Sequence, residues 1–256
     1  MKKKVFLFGL LFSLLLLCGC GVNLTSTVKL NKDFSGTRVM SCTFSSRDFH
    51  SYFKGSKEDL NKLIKESCPD ALTYTSSSSD GNDTYTFYLR FSSLDDYKKK
   101  VRDLLNFSPE ITYEYGDSPF VSGLIYKENF TSKDLMTWLY TALYEGKYID
   151  KDSSADLWDL KSTEISFLGT TYETKDKINI DEMAYVPLSS IHIDTKTEKS
   201  GKLARVIEFD LPQQTLDQNA GKIRSYFAGN DITWENTSDG KTLCISFDAN
   251  NFSDLA

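Results

Sequence analysis

Apolar and polar residues follow the same order in two parts of the chain, residues 23–97 and 189–255. In the first part, apolar residues alternate with polar ones on both sides of a Gly-containing turn in KLNKDFSGTRVMSCTF, which predicts a β-hairpin. A helix should follow, because Ser56 with Asp59 makes a cap before an apolar stripe and Pro69 stops it. A polar turn, SSSSDGND, then leads into a closing strand with alternating apolar residues, namely Tyr85, Phe87, Leu89 and Phe91.

The second part begins with a matching hairpin, SIHIDTKTEKSGKLARVIEFD. Gly201 in its turn matches Gly36 in the first part, and this alignment places Ile207 in the position of Cys42. Cys42 shares one face of its predicted strand with Met40, so the alignment favours a buried apolar role for this thiol.

A helix and a closing strand are also predicted in the second part. Thr215 with Gln218 forms a capping-box pair, and Leu243, Ile245 and Phe247 alternate along the last strand. In the first part the closing strand runs into a helix, SLDDYKKKVRDLLN. The sequence ends at Ala256, where the matching helix should begin, so we expect the second unit to be truncated, with a C-terminal helix or membrane span missing; a natural terminus is the alternative.

Residues 111–187 lie between the two parts and interrupt the repeat. Residues 120–126, 164–168 and 177–180 have strand character. Thr131 with Asp134 caps a helix, KDLMTWLYTALYEGKY, which is apolar on nearly all faces and should therefore be buried between layers. The predicted fold class is α+β, with two related ββαββ(α) units of antiparallel strands at residues 20–110 and 188–256, linked by this mixed strand and helix segment.

The N-terminus has the layout of an export signal. Three lysines precede an apolar run at residues 5–17, which is too short to span a bilayer as a helix. Leu17-Cys18-Gly19-Cys20 then resembles the bacterial lipobox, although Cys18 stands where Ala, Ser or Thr is commoner. The resemblance implies a signal peptide at residues 1–19 and acylation of Cys20, which would anchor the chain by its lipid chains. A plain signal peptide and a buried apolar element are the alternatives.

This lipobox, followed at once by the hairpin KLNKDFSGTRVMSCTF, a helix and a second hairpin ending in YTFYLRFSSLDDY, resembles the LppM-like domain of bacterial cell-envelope lipoproteins. The resemblance covers residues 20–105 and, more faintly, residues 189–256. It implies an envelope domain that binds lipid or envelope components, and it supplies no catalytic residues.

Composition and charge narrow the classes of function. A hydrophobic content of 40% with 26% charged residues excludes global disorder. The net charge of −6 becomes −9 when residues 1–19, with their three lysines, are removed. Such a chain is repelled by nucleic acid, so nucleic acid is not an expected partner.

Candidate chemistry is sparse. Cys42, Cys68 and Cys244 remain after processing; a Cys42–Cys68 disulfide and two buried thiols both stay open. His50 and His192 are the only histidines, no GxSxG motif occurs, and GKT at residues 240–242 lacks the first glycine of a P-loop. The alternating residues Asp150, Asp152, Ser154 and Asp156 lack the Gly and Glu of a calcium loop.

We therefore expect a non-enzymatic protein on the extracytoplasmic face of the bacterial cell membrane, anchored by Cys20. It would act as a binding or interaction module for an envelope protein or lipid, without catalytic residues, metal or cofactor. A carrier of lipid or another apolar ligand is the first alternative, and would need a closed apolar cavity. A hydrolase is the second, and would need a cleft with two acids or a histidine.

Overall fold

The structure is a computed structural model that describes residues 22–47, 53–105, 107–150 and 157–249. The signal peptide, Cys20 and the last seven residues lie outside these ranges. The protein is mixed α+β, with 49% strand against 24% helix, and most strand pairs are antiparallel, which confirms the predicted fold class at this level. The described chain divides into two compact units: the first has residues 22–113 and 126–180, and the second has residues 114–125 and 181–249.

The first unit contains a six-stranded sheet in the order β3-β4-β2-β1-β7-β8. Its strands are β1 (Val22–Leu30), β2 (Gly36–Ser45), β3 (Thr73–Ser79), β4 (Asn82–Phe91), β7 (Trp158–Phe167) and β8 (Thr170–Thr174). All neighbours are antiparallel except β1 and β7, which run parallel from Val22 opposite Trp158 to Leu30 opposite Phe167. The strand predicted at residues 164–168 therefore starts earlier, at Trp158, and extends the first sheet.

Strict alternation explains why this sheet has one buried face. In β4 the predicted apolar residues Tyr85, Phe87, Leu89 and Phe91 are all buried, which confirms the alternating pattern. In β2 the buried residues include Met40 and Cys42, as expected for apolar positions on one face. The Cys42 thiol is unpaired, and burial raises its pKa.

Two helices of the first unit begin and end as predicted. Helix α1 (Lys57–Ser67) starts at a capping box of Ser56 and Asp59, and Leu60 and Ile64 form its buried stripe. Helix α2 (Leu94–Leu104) is capped by Ser93 and buries Tyr97, Val101 and Leu104. Acidic residues precede basic ones along α2, in agreement with the helix dipole.

Two local predictions in this unit are wrong. The serine run, predicted as a turn, forms most of β3, and the turn consists of Asp80 and Gly81, both with positive φ. This two-residue hairpin turn fixes the register, so the serines are extended despite low strand propensity. The helix predicted after Thr131 is divided at Met136 into α3 (Ser132–Leu135) and α4 (Thr137–Glu145). Helix α4 buries Leu139 and Leu143 but exposes Tyr144, so it is not buried on all faces.

The second unit has a four-stranded sheet in the order β11-β12-β14-β13, all antiparallel. The strands are β11 (Ser190–Thr197), β12 (Leu203–Pro212), β13 (Asp231–Asn236) and β14 (Gly240–Ala249). Helix α5 (Gln213–Tyr226) packs on one face, and the core there includes Leu211, Leu216, Ile223, Leu243 and Ile245. The capping box predicted at Thr215 is wrong, because α5 begins two residues earlier and the Thr215 hydroxyl donates to the Pro187 carbonyl instead.

A third sheet pairs β6 (Val121–Glu128) with β5 (Ile111–Asp117), β9 (Asn179–Asp181) and β10 (Ala184–Tyr185). Strands β6 and β9 correspond to predicted strands, whereas β5, β8 and β10 have patterns too short or too polar for prediction. Within the described ranges, no helix is long and apolar enough to cross a membrane.

Gly123 in β6 allows a close backbone contact in the second unit. Its φ is +118°, and a Cβ placed there would lie 2.0 Å from the Glu182 carbonyl oxygen. We predict that Gly123→Ala destabilises the second unit by about 1–3 kcal/mol, because alanine must adopt a glycine-only conformation against fixed backbone. Urea unfolding followed by circular dichroism measures this change.

Gly221→Ala is the matched control. Gly221 lies within α5, and nothing lies within 4 Å of its Cβ position. Alanine there should stabilise the same unit by about 1 kcal/mol. Equal effects of the two substitutions would contradict the assigned backbone contact.

Candidate functional site

Most of the chemistry singled out from the sequence does not assemble into a reactive centre in the described part. Cys20, His50, Asp152, Ser154 and Asp156 lie outside the described residues. Asp150 forms an exposed ion pair with Lys54, and His192 lies exposed on β11. Among the described residues, no three acidic, histidine or cysteine side chains are grouped to hold a metal ion. Cys42 and Cys68 are both free thiols, so the structure has no disulfide between them.

A buried polar cluster in the first unit was missed from the sequence. Arg38 of β2 is 1% exposed, and its guanidinium meets the carboxylate of Glu128 at the end of β6. Tyr97 of α2, Tyr126 of β6 and a hydroxyl pair, Ser132 with Thr163, complete the cluster. The sequence signal was present: Arg38 is in phase with Met40 and Cys42 on the buried face of β2.

Most polar atoms of this cluster have a hydrogen-bond partner within it. Arg38 Nη1 donates to Glu128 Oε2 and to the Tyr97 hydroxyl, both at 2.7 Å, and Nη2 donates to Ser132 Oγ at 2.9 Å. Both Tyr97, at 2.7 Å, and Tyr126 donate their hydroxyl protons to Glu128 Oε1. The guanidinium also lies over the ring of Phe130, 5.7 Å from its centroid. One carboxylate therefore accepts from three side chains.

The electrostatics of the cluster favour a fixed charge state. Desolvation opposes the charge on Arg38, but the Glu128 carboxylate, Tyr97 and Tyr126 together outweigh it, so the pKa of the guanidinium is raised. Desolvation raises the pKa of Tyr97 and of Tyr126, which keeps both hydroxyls protonated as donors. The side chains of Arg38 and Glu128 are 1% and 0% exposed, so the charged groups of the cluster have no contact with solvent.

Helices α1, α2 and α4 of the first unit border a cleft of about 490 Å³. Its lining combines apolar residues such as Leu63 and Trp138 with the carboxylates of Asp103 and Glu145. This open, partly charged cleft differs from the closed apolar cavity that a lipid carrier would need. For the hydrolase alternative, the cleft holds two acidic residues, Asp103 and Glu145. The histidine among the described residues, His192, belongs to the other unit.

An exposed sheet edge is the most distinctive surface of the second unit. Ile191 and Ile193 of β11 are 53% and 58% exposed. They continue two rows of side chains across the sheet: Ile191 faces Phe209, which faces Leu243, and Ile193 faces Ile207, which faces Ile245. Leu243 and Ile245 are fully buried under α5, so each row runs from the core to an exposed end.

The backbone of β11 is also open along this edge. Glu198 N donates to the Lys202 carbonyl in the turn that joins β11 to β12. Since hydrogen-bonded pairs alternate in an antiparallel ladder, the even-numbered residues of β11 bond to β12. The N–H and C=O groups of Ile191, Ile193 and Thr195 therefore point outward, where the described chain places no further strand.

The first unit shows what a second neighbour does to such a strand. Strand β1 lies between β2 and β7, and Leu24 and Ser26 on it are 0% and 4% exposed. Strand β11 has a neighbour on one side among the described residues, and its isoleucines remain in solvent. An unpaired, mainly extended edge with apolar side chains is a template for strand addition.

No protein-family model matches this sequence, and no curated protein matches it significantly.

The ion pair between Arg38 and Glu128 generates a stability prediction. Glu128→Gln leaves the buried guanidinium without its carboxylate, and we predict a loss of about 3–5 kcal/mol in the unfolding free energy of the first unit. Lys161→Gln is the matched control, because it breaks an exposed ion pair with Asp159 in the same unit and should cost less than about 1 kcal/mol. Urea titrations of both variants measure the difference, and equal losses would disprove a dominant buried pair.

Proposed function

We propose that this protein is a lipid-anchored lipoprotein on the extracytoplasmic face of a bacterial cell membrane, and that it works as a non-enzymatic binding module. The lysines, apolar run and lipobox of residues 1–20 support the anchor. Strand β1 starts at Val22, two residues after Cys20, and two extended residues span at most about 7 Å. An acyl group on Cys20 would therefore hold the Val22 end of the first sheet close to the bilayer.

We also propose that β1–β4 with α1 and β11–β14 with α5 are two copies of one ββαββ module, as in the LppM-like domain that residues 20–105 resemble. The same strand order supports this proposal: in each case the second and fourth strands are central and antiparallel. Both first hairpins have five-residue loops, residues 31–35 and 198–202, between strands.

Strand pairing gives a more reliable alignment of the two copies than their glycines do. The last pair before the first hairpin loop is Leu30 with Gly36, and the matching pair in the second copy is Thr197 with Leu203. Counting four residues on from Gly36 and Leu203 aligns Met40 with Ile207. The alignment of Gly36 with Gly201 instead matches Cys42 with Ile207, two residues away. A shift of two residues leaves the same side chains on the buried face, which is why the sequence pattern allows both alignments.

The second module is proposed to bind another polypeptide by strand addition at β11. The observation that carries this function is the exposure of Ile191 and Ile193 on an edge with outward backbone groups. An added strand would pair with those groups and cover both isoleucines. The carrier alternative has less support, because Asp103 and Glu145 charge the lining of the described cleft.

The anchor is tested by Cys20→Ala. We predict that this variant leaves the membrane fraction and that membrane-extracted wild-type protein carries an acyl mass on its N-terminal peptide. Membrane fractionation and mass spectrometry measure these two outcomes, with Cys18→Ala as the control that retains the anchor. Full membrane retention of the Cys20→Ala protein would refute lipidation as the anchor.

The binding edge is tested by a photo-crosslinker, benzoylphenylalanine, placed at position 193 in the full-length protein in cells. We predict a discrete protein adduct from position 193 and none from position 222, where exposed Lys222 lies on α5 of the same unit. Adding Ile191→Lys should abolish the adduct, because a charged edge residue opposes strand docking. Equal adducts at positions 193 and 222 would refute the edge as a binding site.

A further inference from the structure

We infer that the strand added at β11 is the β11 strand of a second copy of this chain, so that the two sheets join into one across a two-fold axis. This inference rests on the proposed binding edge and names its partner. A two-fold axis makes the two β11 strands antiparallel, which is the arrangement of the neighbouring β11–β12 pair.

The outward backbone groups limit the possible registers. The N–H and C=O groups that point outward belong to Ile191, Ile193 and Thr195, so odd-numbered residues must lie opposite odd-numbered residues. The two-fold axis must then pass through a residue of β11. Four such positions, residues 192–195, leave at least five residues of each strand paired.

Overlap length separates these four registers. Strand β11 covers Ser190–Thr197, and Glu198 already belongs to the turn. An axis at His192 pairs only residues 190–194, and one at Thr195 pairs only residues 193–197. Axes at Ile193 and Asp194 pair residues 190–196 and 191–197, respectively, and these use nearly the whole strand.

Charge selects between the two longer registers. An axis at Asp194 places that carboxylate directly opposite its own copy, so two negative charges meet at the centre of the pairing. An axis at Ile193 places each His192 opposite Asp194 and each Lys196 opposite Ser190. It also places Ile193 opposite Ile193 and Ile191 opposite Thr195, on the face that continues the core rows.

The preferred dimer therefore has its axis at Ile193. Each chain adds its β11 to the partner's open edge, and the two central isoleucines cover one another. This closes the exposed edges of both sheets, just as β7 closes β1 in the first unit.

Cysteine crosslinking tests the register. The experiment uses full-length, detergent-solubilised protein with Cys68→Ser and Cys244→Ser, which removes the two part-exposed thiols and leaves Cys42 buried. In an antiparallel pair, directly opposite Cα atoms lie about 4.5–5.5 Å apart, which suits a disulfide. Ile193→Cys should give the most disulfide dimer, and a mixture of Ile191→Cys with Thr195→Cys should crosslink more than either alone.

Asp194→Cys is the register control, and it should form at least ten-fold less dimer than Ile193→Cys at equal time. A maximum at position 194 would overturn the register. Light scattering supplies the independent measurement: the wild type should have the mass of two chains, and Ile193→Lys should be monomeric with an unchanged circular dichroism spectrum.

A monomeric wild type would overturn the dimer. If such a monomer still gave an adduct of unequal mass at position 193 in cells, the binding edge would stand with a different partner. If position 193 gave no adduct either, both the dimer and the edge would fail.

Discussion

The buried pair of Arg38 and Glu128 is the interaction on which the first unit depends most. Two charges removed from water are costly unless each is fully paired, and here β2 supplies the guanidinium while β6 supplies the carboxylate. Tyr97 from α2 and Tyr126 from β6 donate hydrogen bonds to the carboxylate, and Ser132 from α3 accepts one from the guanidinium. Since these partners come from α2, β6 and α3, all distant in sequence from β2, the cluster specifies one arrangement of the sheet and the helices that cover it.

The second unit relies on a different principle. Its core is a set of aliphatic side chains between α5 and one face of a four-stranded sheet, with Phe209, Phe227 and Trp234 at the margin. Hydrophobic burial is non-directional, so it holds the helix on the sheet without specifying where the sheet ends. The apolar rows accordingly extend beyond the helix to Ile191 and Ile193 on the edge strand β11. The proposed function and the proposed dimer both depend on this exposed edge.

Some of this structure was predictable because its cause is local. The caps of α1 and α2 need only hydroxyls and carboxylates a few residues apart, and the buried face of β4 follows from strict alternation. Other elements depend on distant residues. The serines of β3 are extended because β4 pairs with them, and Trp158 starts β7 because Val22 lies opposite it. Thr215 was assigned as a cap because its pattern fits, but its hydroxyl has a partner in Pro187, outside the helix.

The sequence by itself determined the α+β class, the alternating strands, most helix starts and the expectation of an anchor at Cys20. These features depend on residue type and short spacing, which the linear order records directly. Only the tertiary structure decided that Arg38 is a buried ion-pair partner and that β11 is an edge while β1 is central. Both outcomes depend on which strand or helix packs beside a residue. That neighbour can be far away in the sequence, so local residue patterns do not identify it.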